Sequence, residues 1–577
     1  MLVLEVKGIG ALSGIGMGKA VVLKERSFVY PALRQGSAQQ EVLRLTQAAK
    51  QFAEEIMELT HTMRRHVGAN EADIIAVQVA ISEDAGLRSQ TNQLVEDGAS
   101  AEAAITEVCR RYIEMFEQTG NELTSLRAAD IRDLRDRMLE LLTRSTTESA
   151  GPYEQGAILI ARDLTPSMTV GLASTGVAAI ATELGGRVSH SAILARAMGI
   201  PCVVGAAGLL QQVSSGDEVI VDGERGVVIP SPNAREQAAY RARRSLYEAR
   251  RRELETYRDK PTLTADGCRV QLMANIASAD DVQRVREYGA DGVGAMRTEF
   301  LLMDRTEVPG EDEQAEMYER VANAVPHGTA VIQLFDVGGD KFPPCLRFSP
   351  ERNPYLGERG IRYLFSHEEL MRTQLRALLR ASAAHGNIVV MLPFVTGLRQ
   401  VRRAREILDE CKRELDARGV PYDDGIRVGL TLETPAMVIT ADLFAREADF
   451  FCIGTNDLVQ FMLAADRSDP SVSSFYNPFH PSVLRAVRTA AYASKAARVP
   501  VAIVGEAAAD ERLTPLFLAF GLEIFSVGTA ALLSARKAIS TWRRDDAATV
   551  AQHAMSLPTA KEVEEYLTSL TKAPVDV

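Results

Sequence analysis

Eight short apolar runs in the second half of the chain leave few folds open. They are Val270–Asn275, Gly292–Met296, Ala330–Phe335, Ile388–Leu392, Arg427–Leu432, Phe450–Ile453, Val501–Val504 and Ile524–Val527, and amphipathic helical spacing separates each from the next. Eight βα units over roughly 315 residues predict a (β/α)8 TIM barrel, larger than the usual ~250 residues because of inserted loops. Such a barrel carries its chemistry at the C-terminal ends of its strands. There the sequence sets Arg297, Asp336, Glu433, Asn456, Asp457 and the pair Gly505-Glu506. Carboxylates and a guanidinium converging on one rim suit an anion bound together with a metal.

The first half follows another pattern. Residues 1–24, punctuated by Gly8, Gly10, Gly14, Gly16 and Gly18, predict a β hairpin. They do not make a nucleotide loop. A GxGxxG pattern would need glycine at Lys19, and a Walker loop would need glycine at Ser13 and a hydroxyl residue at Ala20. From about 37 to 146 the apolar spacing is helical, in Val42, Leu45, Ala49, Phe52, Ile56 and Leu59 and again in Ile105, Val108, Tyr112, Met115 and Phe116. Strand-like runs return at Ala157–Ile160, Val177–Ile180, Pro201–Val204 and Glu218–Val221. They predict a compact α/β unit that the early hairpin joins, with the helical bundle inserted between. An Arg-rich stretch that ends at Pro261 predicts a solvated connecting helix laced with i,i+4 ion pairs. The expected domains are 1–24 with 147–231 (α/β), 25–146 (helical), 232–260 (linker helix) and 261–577 (barrel).

Composition narrows the function classes. A net charge of −12 argues against a general binder of nucleic acid or anionic membranes. The six cysteines, at 109, 202, 268, 345, 411 and 452, form no CxxC pair, which argues against a zinc or redox motif and for reduced thiols in a cytoplasm. No run of about eighteen apolar residues suggests a membrane span, and the first residues lack the pattern of a signal peptide.

One stretch of the α/β unit stands out: Gly185-Gly186-Arg187-Val188-Ser189-His190-Ser191-Ala192-Ile193-Leu194-Ala195-Arg196. The glycines permit a tight turn, and the Ser-His-Ser triplet opens a short helix, Ser191 to Met198, that stops at Gly199 and Pro201. His190 thus stands at a helix N-terminus, where free N–H groups and the dipole favour a bound anion such as phosphate. A neutral imidazole there can accept a phosphoryl group; a capping or surface role is the plainer reading of a single histidine.

This stretch resembles the phosphohistidine motif of Enzyme I, the phosphoenolpyruvate–protein phosphotransferase of the bacterial sugar phosphotransferase system. Pyruvate phosphate dikinase and phosphoenolpyruvate synthase share the motif. Those two carry a further ATP-binding domain before the histidine, for which the roughly 185 mostly helical residues ahead of His190 leave no room. The resemblance extends along nearly the whole chain. It implies that His190 is transiently phosphorylated and that Thr169 matches a threonine hydrogen-bonded to it, although an ordinary helix cap is the other reading of Thr169.

In the barrel, Met296-Arg297-Thr298-Glu299-Phe300 and Asn353-Pro354-Tyr355-Leu356-Gly357-Glu358-Arg359-Gly360 resemble the phosphoenolpyruvate-site motifs, which implies that Arg297 and Arg359 hold phosphate. Lys341 matches a lysine close to the same site. Leu432-Glu433-Thr434-Pro435 and Gly454-Thr455-Asn456-Asp457 match the magnesium-binding carboxylates, Glu433 and Asp457, with Asn456 and Arg467 on the substrate.

The resemblance also implies Mg2+, phosphoenolpyruvate, an HPr-type phosphocarrier docked on the helical insert, and a cytoplasmic homodimer paired through the barrel. The histidine domain must then swing onto the barrel and away again. Three positions depart from the pattern. Gln333 replaces an arginine; Gln78 lies in the helix where relatives usually carry a histidine; Val504 replaces the cysteine that protonates the enolpyruvate carbon, and valine cannot be an acid. A degenerate regulatory relative, binding carrier or metabolite with little turnover, is the alternative these departures suggest.

Overall fold

The computed structural model describes residues 5–23, 28–66, 78–117, 122–143, 154–164, 176–186, 189–303, 305–469 and 471–571. The chain divides into two compact units, Met1–Arg250 and Arg251–Val577. Among the described residues no helix is long and apolar enough to cross a membrane.

The first unit contains an eight-stranded sheet. Its strands are β1 (Val6–Lys7), β2 (Ile9–Leu12), β3 (Ile15–Val22), β4 (Ile158–Ala161), β5 (Ala179–Thr182), β6 (Cys202–Val204), β7 (Glu218–Asp222) and β8 (Val227–Pro230). Their order across the sheet is β1-β8-β7-β3-β4-β5-β6-β2. The hairpin expected at the start is therefore not formed. β2 pairs with β6, while β3 runs antiparallel to β7 and parallel to β4. The early glycines explain the difference, because they serve close approach between distant segments. A Cβ on Gly10 would lie 2.1 Å from the Gly223 carbonyl oxygen, and one on Gly18 would lie 2.0 Å from that of Gly156.

Four long helices, Ala38–His66, Ala85–Glu96, Ala101–Glu117 and Glu122–Thr143, form the helical part. Leu45, Phe52, Ile56, Ile105 and Val108 are buried there as their spacing predicts. Met115 is exposed, because ten residues beyond Ile105 it has turned off the apolar stripe that Phe116 rejoins. Gln78 is buried too, and its amide donates to Asp133 Oδ2 at 3.0 Å. The preceding Ala76 and Val77 lie outside the described residues, as does Thr169.

In the second unit eight parallel strands close a barrel: β9 (Gln271–Ile276), β10 (Val293–Met296), β11 (Ala330–Gln333), β12 (Ile388–Leu392), β13 (Arg427–Leu432), β14 (Phe450–Gly454), β15 (Val501–Val504) and β16 (Ile524–Gly528). β16 pairs with β9 from Ile524↔Gln271 to Gly528↔Asn275, which completes the ring. Apolar side chains such as Met273, Val331, Val389, Met391 and Phe450 pack together in one buried cluster inside it.

Closure also rests on one buried arginine. Arg536, in the helix Leu532–Thr541 after the last strand, is 2% exposed. Its guanidinium donates to the carbonyls of Tyr257, Arg258, Tyr288 and Gly289 at 2.5–3.1 Å and to Thr262 Oγ1 at 3.1 Å. The helix after the last strand is thereby tied to segments just ahead of the first two strands. Replacing Arg536 by methionine takes the donor from all of these carbonyls, at a cost on the order of 3 kcal/mol, or roughly 4 °C for a unit of this size. Thermal unfolding of the barrel unit followed by calorimetry should show that drop; a midpoint within about 1 °C of the native protein would contradict it.

Candidate active site

The C-terminal ends of the barrel strands surround a cavity of about 600 Å3, counting the part open to solvent. Arg297 and Glu299 enter it after β10, Gln333 and Asp336 from β11 and just beyond, Glu433 after β13, and Asn456 and Asp457 from the first turn of the helix Thr455–Leu463 after β14. Lys341, Arg467 and Gly505 add to the rim, and Val504 also lines the cavity. Gly505 has φ +115°, and a Cβ there would meet Thr455 Oγ1 at 2.3 Å. Only glycine brings this turn so close to Asn456, whose Oδ1 accepts the Glu506 N–H at 3.2 Å.

Arg359 has a different place from the other expected ligands. It is fully buried and does not line the cavity. Its guanidinium grips Asp336 through Nη2 at 2.8 Å and Asp457 through Nη1 at 2.9 Å, over the ring of Phe394. Lys341 Nζ bonds Glu299 at 2.6 Å and Asp336 at 3.2 Å, and Arg467 reaches Asp457 at 3.3 Å and Asp340 at 3.5 Å. Arg297 lines the cavity without an ion pair to any described residue.

These pairings sort the acids. Burial would raise the Asp336 carboxyl, but Arg359 and Lys341 outweigh it and hold it below the usual carboxylate range. Asp457 is likewise buried yet held low by Arg359 and Arg467. Glu433 goes the other way: burial, then the charges of Asp457 and Asp336, push its carboxyl well above that range. Among the described residues it has no ion pair, and its Oε1 accepts the backbone N–H of Phe394.

Such a carboxyl, buried beside an ionised neighbour, is what a divalent cation would match. Hard oxygen donors on adjacent strand ends, with room for waters and substrate oxygens, fit a magnesium-type ion. Among the described residues no group of three or more His, Cys, Asp or Glu side chains could hold a metal by itself. Two further buried atoms have no partner, Glu299 Oε2 and Thr431 Oγ1, and both residues line the cavity.

The cavity thus brings together Arg297, Gln333, Lys341, Glu433, Asn456, Asp457, Arg467 and Val504. Sequence reasoning missed Thr431 and Cys452, which also line it. Each lies two residues before a rim position, Glu433 and Gly454, and the two-residue alternation of a strand was the available signal. In the first unit the helix begins at His190, one residue earlier than expected. It is capped by Ser189, whose Oγ accepts the Ala192 N–H at 3.4 Å, and it ends at Gly199 with φ +69°.

Comparison with known proteins agrees with this geometry. Residues 251–544 match the family described as "PEP-utilising enzyme, PEP-binding domain", residues 153–226 the "mobile domain" and residues 7–127 the "N-terminal" domain of the same enzymes. The chain is 39% identical over 563 residues to a phosphoenolpyruvate-protein phosphotransferase of Geobacillus stearothermophilus, covering 97% of each chain. A protein of the same name from Listeria innocua is 37% identical over 568 residues, covering 98% of this chain and 99% of its own. The chain therefore belongs to the phosphoenolpyruvate-protein phosphotransferases, the metal-dependent enzymes that open the phosphotransferase system by passing the phosphoryl group of phosphoenolpyruvate to a phosphocarrier protein.

Proposed function

We propose that phosphoenolpyruvate binds in the barrel cavity with Mg2+ on Glu433 and Asp457, and that His190 takes its phosphoryl group and hands it to a histidine of an HPr-type carrier. The observation that carries this reading is the cavity rim, where unpaired Arg297 and the partly engaged Lys341 and Arg467 stand beside a buried carboxyl pair short of one cation. Guanidinium groups grip phosphoryl and carboxylate oxygens through paired, charge-assisted hydrogen bonds. Asn456 and Gln333 add neutral contacts. Arg359 acts from behind the wall, by fixing Asp336 and Asp457. The cation, when bound, neutralises charge on the phosphoryl oxygens and on the leaving enolate.

His190 suits the acceptor role because the capped helix it opens presents backbone N–H groups and a positive dipole end to an anion. In-line transfer requires reacting atoms about 3–3.5 Å apart, so the α/β domain must visit the barrel mouth during each cycle. Thr169 is proposed as its hydrogen-bonding neighbour. The domain roles follow: 1–24 with 147–231 carries the histidine, 25–146 docks the carrier, 232–260 links, and 261–577 binds substrate. Gln78, being buried, supports the fold of the docking domain and is not part of its surface. A cytoplasmic homodimer pairing through the barrel is consistent with Ile439, Leu443 and Tyr492, which stay exposed on packed barrel helices.

Incubation with radiolabelled phosphoenolpyruvate and Mg2+ should give acid-labile, base-stable label on the native protein and none on His190→Ala. Label retained by that variant would show another acceptor.

The raised Glu433 carboxyl sets a pH dependence. A cation binds the ionised form, so uptake near neutral pH must expel the proton that burial and the neighbouring charges hold there. Affinity for Mg2+ should rise with pH and level off once Glu433 ionises unaided. Calorimetry in two buffers of different ionisation enthalpy should detect about one proton released per ion at pH 7, and none in Glu433→Gln. Affinity independent of pH, with no proton released, would contradict the assignment.

A further inference from the structure

Below its charged rim the barrel cavity has an apolar floor, formed by Ala295, Val331, Met391 and Val504. One side chain in that floor carries an acidic hydrogen. Cys452, on β14, faces the interior with this cluster, is 3% exposed, and directs its Sγ toward the Gly294 carbonyl at 3.8 Å. Its partner in the β13–β14 register is Thr431, whose buried hydroxyl faces the same cavity without a hydrogen-bond partner. An unmatched buried hydroxyl marks this part of the floor as a place that a ligand completes.

The polarity of the cavity orients its substrate, an argument that rests on the function proposed above. Phosphoenolpyruvate has two anionic groups, which the cationic rim takes, and one apolar end, the methylene carbon C3. That carbon is left to face the floor. Phosphoryl transfer forms a bond from an imidazole nitrogen of His190 to phosphorus and breaks the bond from phosphorus to the C2 oxygen. The electron pair stays on that oxygen, giving an enolate, and C3 must then gain a proton. Val504 has none to give. With a cation on Glu433 and Asp457 those two carboxylates are occupied, Glu299 and Asp336 are ion-paired with Lys341, and a threonine hydroxyl is a far weaker acid than a thiol.

We propose that Cys452 is the acid that protonates C3 of enolpyruvate in this enzyme. The S–H bond breaks, its electron pair stays on sulfur, the C–H bond forms, and pyruvate results; the thiolate then regains a proton from water. Burial keeps the resting thiol protonated, as an acid in this step must be. The thiol sits one strand over and two residues deeper than the position occupied by Val504, since Val504 pairs with Gly454.

Stereochemistry tests this separately from phosphorylation. Phosphoenolpyruvate with one tritium of defined geometry at C3, turned over once in D2O, gives pyruvate with a chiral methyl group when a fixed acid delivers from one face. It gives a racemic methyl when free enolpyruvate ketonises in water. The full-length native enzyme should give chiral pyruvate. Cys452→Ala should still label His190 but give a racemic methyl, with enolpyruvate visible as a transient, because a positioned acid contributes about 10²–10⁴-fold to such a step. Adding Val504→Cys to Cys452→Ala should restore chirality; Cys452→Ser serves in the same assay should the alanine variant not fold. Chiral pyruvate from the folded Cys452 variants, or a racemic product from native enzyme that labels His190, would overturn the proposal. So would loss of label together with chirality in a folded variant, since Cys452 would then act in binding. Absence of label on the native protein would instead count against the function proposed above.

Discussion

Arg359 holds the barrel site together. It lies fully buried between Asp336, in the loop after β11, and Asp457, in the first turn of the helix after β14. Breaking a buried pair of this kind costs about 3–5 kcal/mol, because the carboxylates left behind keep their charge without compensation. The pairing also decides what the neighbours can do. With Asp336 and Asp457 held ionised by the arginine, Glu433 is left as a third acid that cannot ionise cheaply, which is where the proposed cation would act. The charges around the cavity form one coupled set, in which substrate and metal each supply what the other lacks.

That coupling separates two kinds of work. The charged rim handles phosphorus, where leaving oxygen and phosphoryl oxygens need neutralisation. The apolar floor handles carbon, where an uncharged proton donor is wanted and water is best kept out. Val504 belongs to the buried apolar cluster inside the barrel, apart from the ion pairs that hold the rim. A site so layered can change the source of one proton while its phosphoryl chemistry stays intact.

Much of this was legible in the sequence. The eight apolar runs gave every barrel strand within two residues at each end, because strands buried inside a closed barrel must be short, apolar and regularly spaced. The C-terminal ends of those runs point to Arg297, Asp336, Glu433, Asn456, Asp457 and Gly505, which line one cavity. Long-range pairing was not legible. A separation of 98 positions along the chain hides the contact between Arg359 and Asp457, and the glycines of residues 1–24 look like turns although they are points of close approach. β8 (Val227–Pro230) was also missed, since its partners β1 and β7 are set by topology and not by local pattern. Cys452 was passed over because a buried cysteine is usually inert packing.

On the proposed function, metal and phosphoenolpyruvate complete one charge-coupled cavity. Calorimetric titration of phosphoenolpyruvate into the full-length protein, with saturating Mg2+ and again with a chelator, tests it most directly. The account predicts that Mg2+ tightens phosphoenolpyruvate at least tenfold and that phosphoenolpyruvate tightens Mg2+ by the same factor, as linkage requires. Equal affinity for phosphoenolpyruvate with and without the metal would contradict it.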